Sequence, residues 1–333
     1  MRLLVTGAAG FIGSNFVRYW LGERPDDHIV ALDLLTYAGN EPNLADVRDR
    51  IVFVQGNIGE RGQVEKLIEA EEIDTVVNFA AESHNSYAVV NPGAFFRTNV
   101  MGTQALLEAA RHLDVGRFHH VSTDEVYGEL ALDTDDKFTE DSPYRPRGPY
   151  SAAKAGADHA VRAYFETYGL PVTITNCSNN YGPFQFPEKV IPLFATNAMD
   201  DKPLPMYQST HFRRQWLHVI DHCRGIERVL LDGRVGETYN IGSDVERSIE
   251  ELADAILDAL GKPKSLKTTI PDRPGHDSRY FLDWSKIRDE LGWKPQIDFE
   301  EGLRDTVAWY SDHREWWEPL RERAPVIEEE AWE

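Results

Sequence analysis

The sequence carries two cysteines, Cys177 and Cys223, in 333 residues. That is too few for a disulfide framework or a cysteine-rich metal site, and it fits a reducing cytoplasm. No apolar run approaches the roughly 20 residues that a membrane helix needs. The start, MRLLVTGAAGFIG, is too short in apolar residues and too rich in glycine for a signal peptide. Basic residues are scarce beside acidic ones, 35 against 56, and the net charge of −21 repels nucleic acid and anionic membranes. No Gly-x-Ser-x-Gly elbow suggests a hydrolase. The eleven histidines are scattered. His218 and His222 stand four apart, but no Glu follows His218, so no metal is expected. The acidic DTDDK stretch lacks the Gly and terminal Glu of a calcium loop and reads as solvated.

What is present is a chain 41% hydrophobic, long enough for one large domain with a smaller lobe. Short apolar runs such as RLLVTGA, HIVALDLL, IVFVQGNI, DTVVNFAA and RFHHVST alternate with helical patterns, FVRYWLGE, VEKLIEAEE and TNVMGTQALLEAARHL among them. Continuously apolar strands between helices predict a doubly wound parallel α/β sheet of Rossmann type, buried on both faces. From about residue 180 the rhythm breaks into Pro-punctuated loops, marking a smaller mixed α/β C-terminal lobe. We expect residues 1–178, with a return segment at about 213–242, to form the dinucleotide domain, and 179–212 with 243–333 to form the substrate lobe. SIEELADAILDAL reads as an amphipathic helix, and the acidic tail WWEPLRERAPVIEEEAWE as a surface segment.

TGAAGFIG sets Gly7, Gly10 and Gly13, with Phe11 and Ile12, between the first strand and first helix, where backbone N–H groups can face a pyrophosphate. The next strand ends in Asp33, 20 residues after Gly13, placed to accept from a ribose diol and to repel a 2′-phosphate. That pattern predicts NAD rather than NADP. Tyr150 and Lys154 share a helix face at a spacing of four. A nearby ammonium favours phenolate, so the expectation is a tyrosine titrating closer to the working pH and serving as base for a sugar hydroxyl. Ser122-Thr123-Asp124-Glu125 follows the strand RFHHV.

Together with NFAAESH, STDEVYGE, NCSNNYGPFQFPEKVIP, WLHVIDH, GETYNIG and RPGHDSRY, these motifs give a sequence that resembles the extended short-chain dehydrogenase/reductases and, within them, the dTDP-glucose 4,6-dehydratases. The likeness runs over nearly the whole chain. It implies that Tyr150 takes the C4 hydroxyl proton while C4 gives hydride to NAD, that Glu125 removes the C5 proton, that Asp124 protonates the departing C6 hydroxyl, and that Thr123 bonds the substrate. Crowded carboxylates disfavour double ionisation, so one of the pair keeps a proton. The resemblance extends the cofactor set to Thr36, Asn57, Ile58, Ala80, Ala81, Thr98, Ser122, Tyr150 and Lys154. For a nucleoside-diphosphate hexose it implies Ser83, His84, Asn179, Lys189, Val190, Tyr207, Arg214, Ser248, Arg273 and His276, with Arg214 on the diphosphate and Tyr207 stacked on the base. It also implies a homodimer through a four-helix bundle, built from MGTQALLEAAR and YSAAKAGADHAV.

The chain departs from that pattern at Asn85-Ser86-Tyr87-Ala88, where Val-Asp-Arg-Ser is usual, at Tyr207 to Phe212, at Ser248 in place of Asn, and at Asn57 in place of Asp. These departures leave the nucleotide and hexose open. Two rivals also stand: an epimerase or decarboxylase of the same fold, in which Asp124 and Glu125 have no chemical task, and a non-catalytic NAD-binding subunit.

Overall fold

Leu3, Leu4 and Val5 are wholly buried in the first strand, and their side chains alternate between two cores, which is why this segment lies in the middle of a sheet covered on both sides. The structure, a computed structural model, describes residues 1–323. Its strands are β1 Arg2–Thr6, β2 His28–Asp33, β3 Val52–Gln55, β4 Thr75–Asn78, β5 Arg117–Thr123, β6 Val172–Cys177, β7 Asn179–Tyr181, β8 Leu204–Tyr207, β9 Arg213–His218, β10 Thr238–Ile241, β11 Glu246–Ser248 and β12 Lys267–Ile270. Seven of them form a parallel sheet in the order β10-β6-β5-β4-β1-β2-β3, as the apolar runs predict. The order reverses between β1 and β4, so their carboxyl ends open a crevice there.

One face is closed by the helices Phe11–Glu23 and Val219–Asp232, which bring Phe16, Trp20, Ile226 and Val229 to the sheet. The other is closed by Arg61–Ala70, Thr103–His112 and Pro149–Tyr168, through Val64, Leu106, Leu107 and Val161. Each large apolar side chain so buried contributes about 1.5–3 kcal/mol. The lobe has its own core of Phe194, Leu252, Ile256 and Leu303. It rests on the three-stranded sheet β11-β9-β7 and the pair β12-β8.

Three expectations change. β9 lies in the small sheet, paired with β7 and β11, so the chain returns to the large sheet at Val219, not at about residue 213. An apolar strand does not announce which sheet it will join. TNVMGTQALLEAARHL is not one regular helix: Phe96–Gly102 is a π turn that runs into the α-helix Thr103–His112. The widened turn places Thr98 on the crevice and lets Asn99 bond the backbone of Glu82 on both sides, at 2.8 and 3.0 Å. The tail is also only partly a surface segment. Arg314–Arg321 is a helix that buries Trp317 and Leu320, and Arg323 donates to the carbonyls of Thr36 and Gly39 at 3.2 and 2.9 Å. Residues 324–333 of that segment lie outside the described residues.

Candidate active site

At the carboxyl ends of β1 and β4 the glycine loop has no room for side chains. Gly7 sits at φ +63°, and a Cβ there would fall 2.7 Å from the Ala80 nitrogen. A Cβ on Gly13 would fall 2.2 Å from the Gly7 carbonyl oxygen. Gly10 starts the helix Phe11–Glu23, whose first N–H groups have no intrahelical acceptor and so suit an anion. Gly13→Ala should therefore force the loop off the helix, lowering the melting temperature by several degrees and weakening NAD binding at least tenfold; calorimetry and cofactor titration check this.

Asp33 is buried at the end of β2, with one oxygen accepting from Ala9 N at 2.9 Å and the other from Leu35 N at 2.8 Å. Burial raises its pKa, while those two N–H groups oppose the rise. A carboxylate has further lone pairs, so the ribose diol expected there fits. Thr36, Asn57, Ile58, Ala80, Ala81 and Thr98 line the same crevice, whose cavity volume is about 380 Å³. Glycines that a Cβ would jam, a free helix start and a terminal carboxylate together fit a dinucleotide.

The crevice continues to the end of β5, where Thr123 caps the short turn Asp124–Tyr127 by accepting the Glu125 N–H at 3.3 Å. The turn aims both acids into the cleft. Asp124 is 2% exposed. Its Oδ1 accepts from the Thr123 hydroxyl at 3.2 Å, and its Oδ2 is buried with no hydrogen-bonding partner among the described residues. Burial first, and Glu125 next, push its pKa up to about 8, so it holds a proton at neutral pH. Burial also raises Glu125, but the Arg273 charge and the Asn85 amide oppose that rise.

Tyr150 and Lys154 line the cleft on the helix Pro149–Tyr168. Here the expectation of a lowered tyrosine fails. Burial and the neighbouring Glu125, Cys177 and Asp124 hold Tyr150 well above its ordinary value. The Lys154 ammonium donates to the Val121 carbonyl at 2.7 Å and lies 3.3 Å from His120. Ser122, likewise, lines the cleft but gives its hydroxyl to Asp158 at 2.8 Å, and Tyr144 donates to the same oxygen at 2.9 Å. Asp158 stands one further turn along the Tyr150–Lys154 face, a spacing that the sequence displayed and that pattern reading passed over.

Of the substrate set, Ser83, Asn179 and Lys189 line the cleft. Lys189 donates to the Ser83 carbonyl at 2.9 Å and pairs with buried Glu188. His84 caps the helix Asn85–Val90 and approaches Glu188 to 3.4 Å. Val190 opens the helix Val190–Met199. Tyr207 packs against His276, their ring centroids 5.0 Å apart, and Arg273 lies close enough for its charge to be felt at both Glu125 and His276. Two residues are engaged by other bonds, though the Arg214 charge still reaches Asp124 and Glu125. Arg214, 6% exposed, donates to the carbonyls of Arg213, Asp277 and Ser278 and stacks on Tyr280, which leaves it outside the cleft lining. Ser248 caps the helix Ile249–Leu260 in a reciprocal pair with Glu251. His218 caps its own helix and His222 bonds Asn180.

Residues 4–306 match the model of the family described as GDP-mannose 4,6 dehydratase. The chain belongs to that family. It is 50% identical over 327 residues to the dTDP-glucose 4,6-dehydratase of Streptomyces niveus, an alignment covering 96% of each protein. Among solved structures it is similar to DesIV, a dTDP-glucose 4,6-dehydratase from Streptomyces venezuelae crystallised with NAD and TYD, at 51% identity and a TM-score of 0.93, covering 96% of this chain and 100% of that one. It is also similar to the dTDP-glucose 4,6-dehydratase of Bacillus anthracis in complex with NAD, at 45% identity and a TM-score of 0.90, covering 96% and 99%. The Rossmann-type sheet read from the sequence is thus the fold of this dehydratase family.

The structure adds two cleft residues that sequence reading did not assign. Glu188 accepts from the Tyr37 hydroxyl at 2.8 Å behind Lys189. Asn85 donates to both Glu125 oxygens, at 3.2 and 3.3 Å. The only signal for Asn85 was its departure from the dehydratase pattern.

Proposed function

We propose that this protein is an NAD-dependent dTDP-glucose 4,6-dehydratase, a hydro-lyase that yields the 4-keto-6-deoxy sugar. One observation carries the reading. Two adjacent carboxyl groups, Asp124 buried and disposed to hold a proton, Glu125 half-buried and accepting an amide on both oxygens, face the same cleft as a dinucleotide-binding glycine loop. Gly7, Gly10, Gly13 and Asp33 hold the cofactor. When bound, NAD accepts the C4 hydride and later returns it to C6, and its oxidised ring adds a positive charge that favours phenolate. Tyr150 then takes the C4 hydroxyl proton. The C4 ketone acidifies C5–H, and Glu125 receives that proton as the C5–H electron pair moves toward the carbonyl. Asp124 gives its proton to the C6 hydroxyl, which departs as water, and Glu125 gives its proton back to C5 as the hydride reaches C6. Asn179 and Lys189 meet the sugar and diphosphate, and Tyr207 with His276 forms the base-binding surface.

Incubation with a panel of nucleotide hexoses tests this. Loss of water with appearance of a carbonyl supports the dehydratase, while an isomer of unchanged mass, or no turnover of any sugar, overturns it.

The protein acts as a homodimer in this reading. What supports it is a face on the helical segment Pro92–His112 that leaves Phe96 and Met101 44% and 60% exposed beside the helix Pro149–Tyr168. Gly156 permits the close approach of these two helices within one chain, where a Cβ would fall 3.1 Å from Val100. Met101→Asp should weaken the dimer at least tenfold, read as a shift to monomer mass in light scattering. A cytoplasmic setting agrees with Cys177 and Cys223, both free and buried.

A further inference from the structure

Two neighbouring carboxylates sharing a cleft pose a question of assignment: which keeps the proton? The donors around them are unequal. Asp124 has one weak side-chain donor, Thr123, and an oxygen with no partner among the described residues. Both Glu125 oxygens accept from a single amide, Asn85 Nδ2, at 3.2 and 3.3 Å. Among the described residues no other side chain hydrogen-bonds that carboxylate. Other groups act on Glu125 only through their charge or titration: Asp124 beside it, Tyr150 from the neighbouring helix, Arg214 from β9, and Arg273, Asp277 and Tyr280 from the segment after β12.

The chain beside Asn85 is tied down at three of its neighbours. Asn99 bonds both backbone groups of Glu82, Lys189 bonds the Ser83 carbonyl, and the His84 side chain accepts from Tyr87 N. These ties hold the start of the helix Asn85–Val90 against the cleft, from which the Asn85 amide reaches both Glu125 oxygens.

We propose that Asn85 is a positioning residue that assigns the roles of the acid pair, orienting Glu125 and keeping it the ionised base while Asp124 retains the shared proton. The inference rests on the dehydratase reading above. An amide donor stabilises a carboxylate more than a carboxylic acid, so removing it shifts ionisation away from Glu125 and lets the plane of its carboxyl turn. The pair titrates as a unit, and its first proton loss sets the acidic limb of the rate profile.

The test compares wild type with Asn85→Val and Asn85→Ser in the NAD-loaded enzyme. For Asn85→Val we expect a kcat about tenfold or more lower on the acidic side, a deficit that narrows toward alkaline pH, an acidic limb moved up by about one unit, and a KM within about threefold of wild type. Asn85→Ser, which keeps a donor, falls between. Carbon-13 titration of the Glu125 carboxyl, assigned by its loss in Glu125→Gln, reads the same upward shift without turnover and with either variant. Wild-type protein that forms no 4-keto-6-deoxy sugar sinks the functional reading. A wild type that turns over while both variants match it in bell shape and Glu125 titration, or lose only KM, sinks the role of Asn85.

Discussion

Glu125→Gln should stop the reaction after oxidation. The amide keeps the volume of the side chain and its place in the turn after β5, so the cleft and Tyr150 are undisturbed. What disappears, in the dehydratase reading, is the base placed to receive the C5 proton. On mixing with substrate, the near-ultraviolet absorbance of reduced nicotinamide should rise and persist, with no loss of water by mass. Steady-state kcat should fall by about 10²- to 10⁴-fold, the usual contribution of a positioned base. Stopped-flow absorbance paired with quenched-flow mass analysis separates the steps. Water lost at the wild-type rate would remove Glu125 from the mechanism.

Asp124→Asn should cost a similar factor in kcat by removing the proton destined for the C6 hydroxyl, and two pH signatures distinguish it. The wild-type rate needs Asp124 protonated, so it should fall as pH rises through about 8. The residual activity of the variant should lack that limb. The second signature is in stability. A carboxyl raised from its ordinary 3.8 to about 8 is protonated in the native state across a window in which the unfolded chain has already lost its proton. The native state therefore binds more protons there, and stability falls as pH rises through that window, levelling off above about 8. Asn does not ionise, so the melting temperature of the variant should fall less than that of wild type between about pH 6 and about pH 9, as read by calorimetry. A wild type and variant with parallel melting curves would place the Asp124 proton elsewhere.

The sheet was legible because its signal is local. Runs such as LLV and IVAL need only burial on both faces, and the glycine loop and Asp33 state their own spacing. The acid pair and the Tyr150–Lys154 face were legible for the same reason. What failed was long-range. Nothing in RRQWLH says that the strand joins β7 rather than β6. An arginine suited to a diphosphate looks the same whether it faces a ligand or, like Arg214, three backbone carbonyls. Tyr150 is held up by burial and by Glu125, Cys177 and Asp124, neighbours brought in from other elements. Asn85 registered only as an oddity, because its partner lies 40 positions away.

The bonds from Arg323 to the carbonyls of Thr36 and Gly39 span 287 and 284 positions of the sequence. The wall beside Asp33 is encoded within the first 40 residues, yet its outer brace is carried just past the helix Arg314–Arg321. Loosening that distant helix would therefore slacken the groove beside Asp33, though the two share no local sequence.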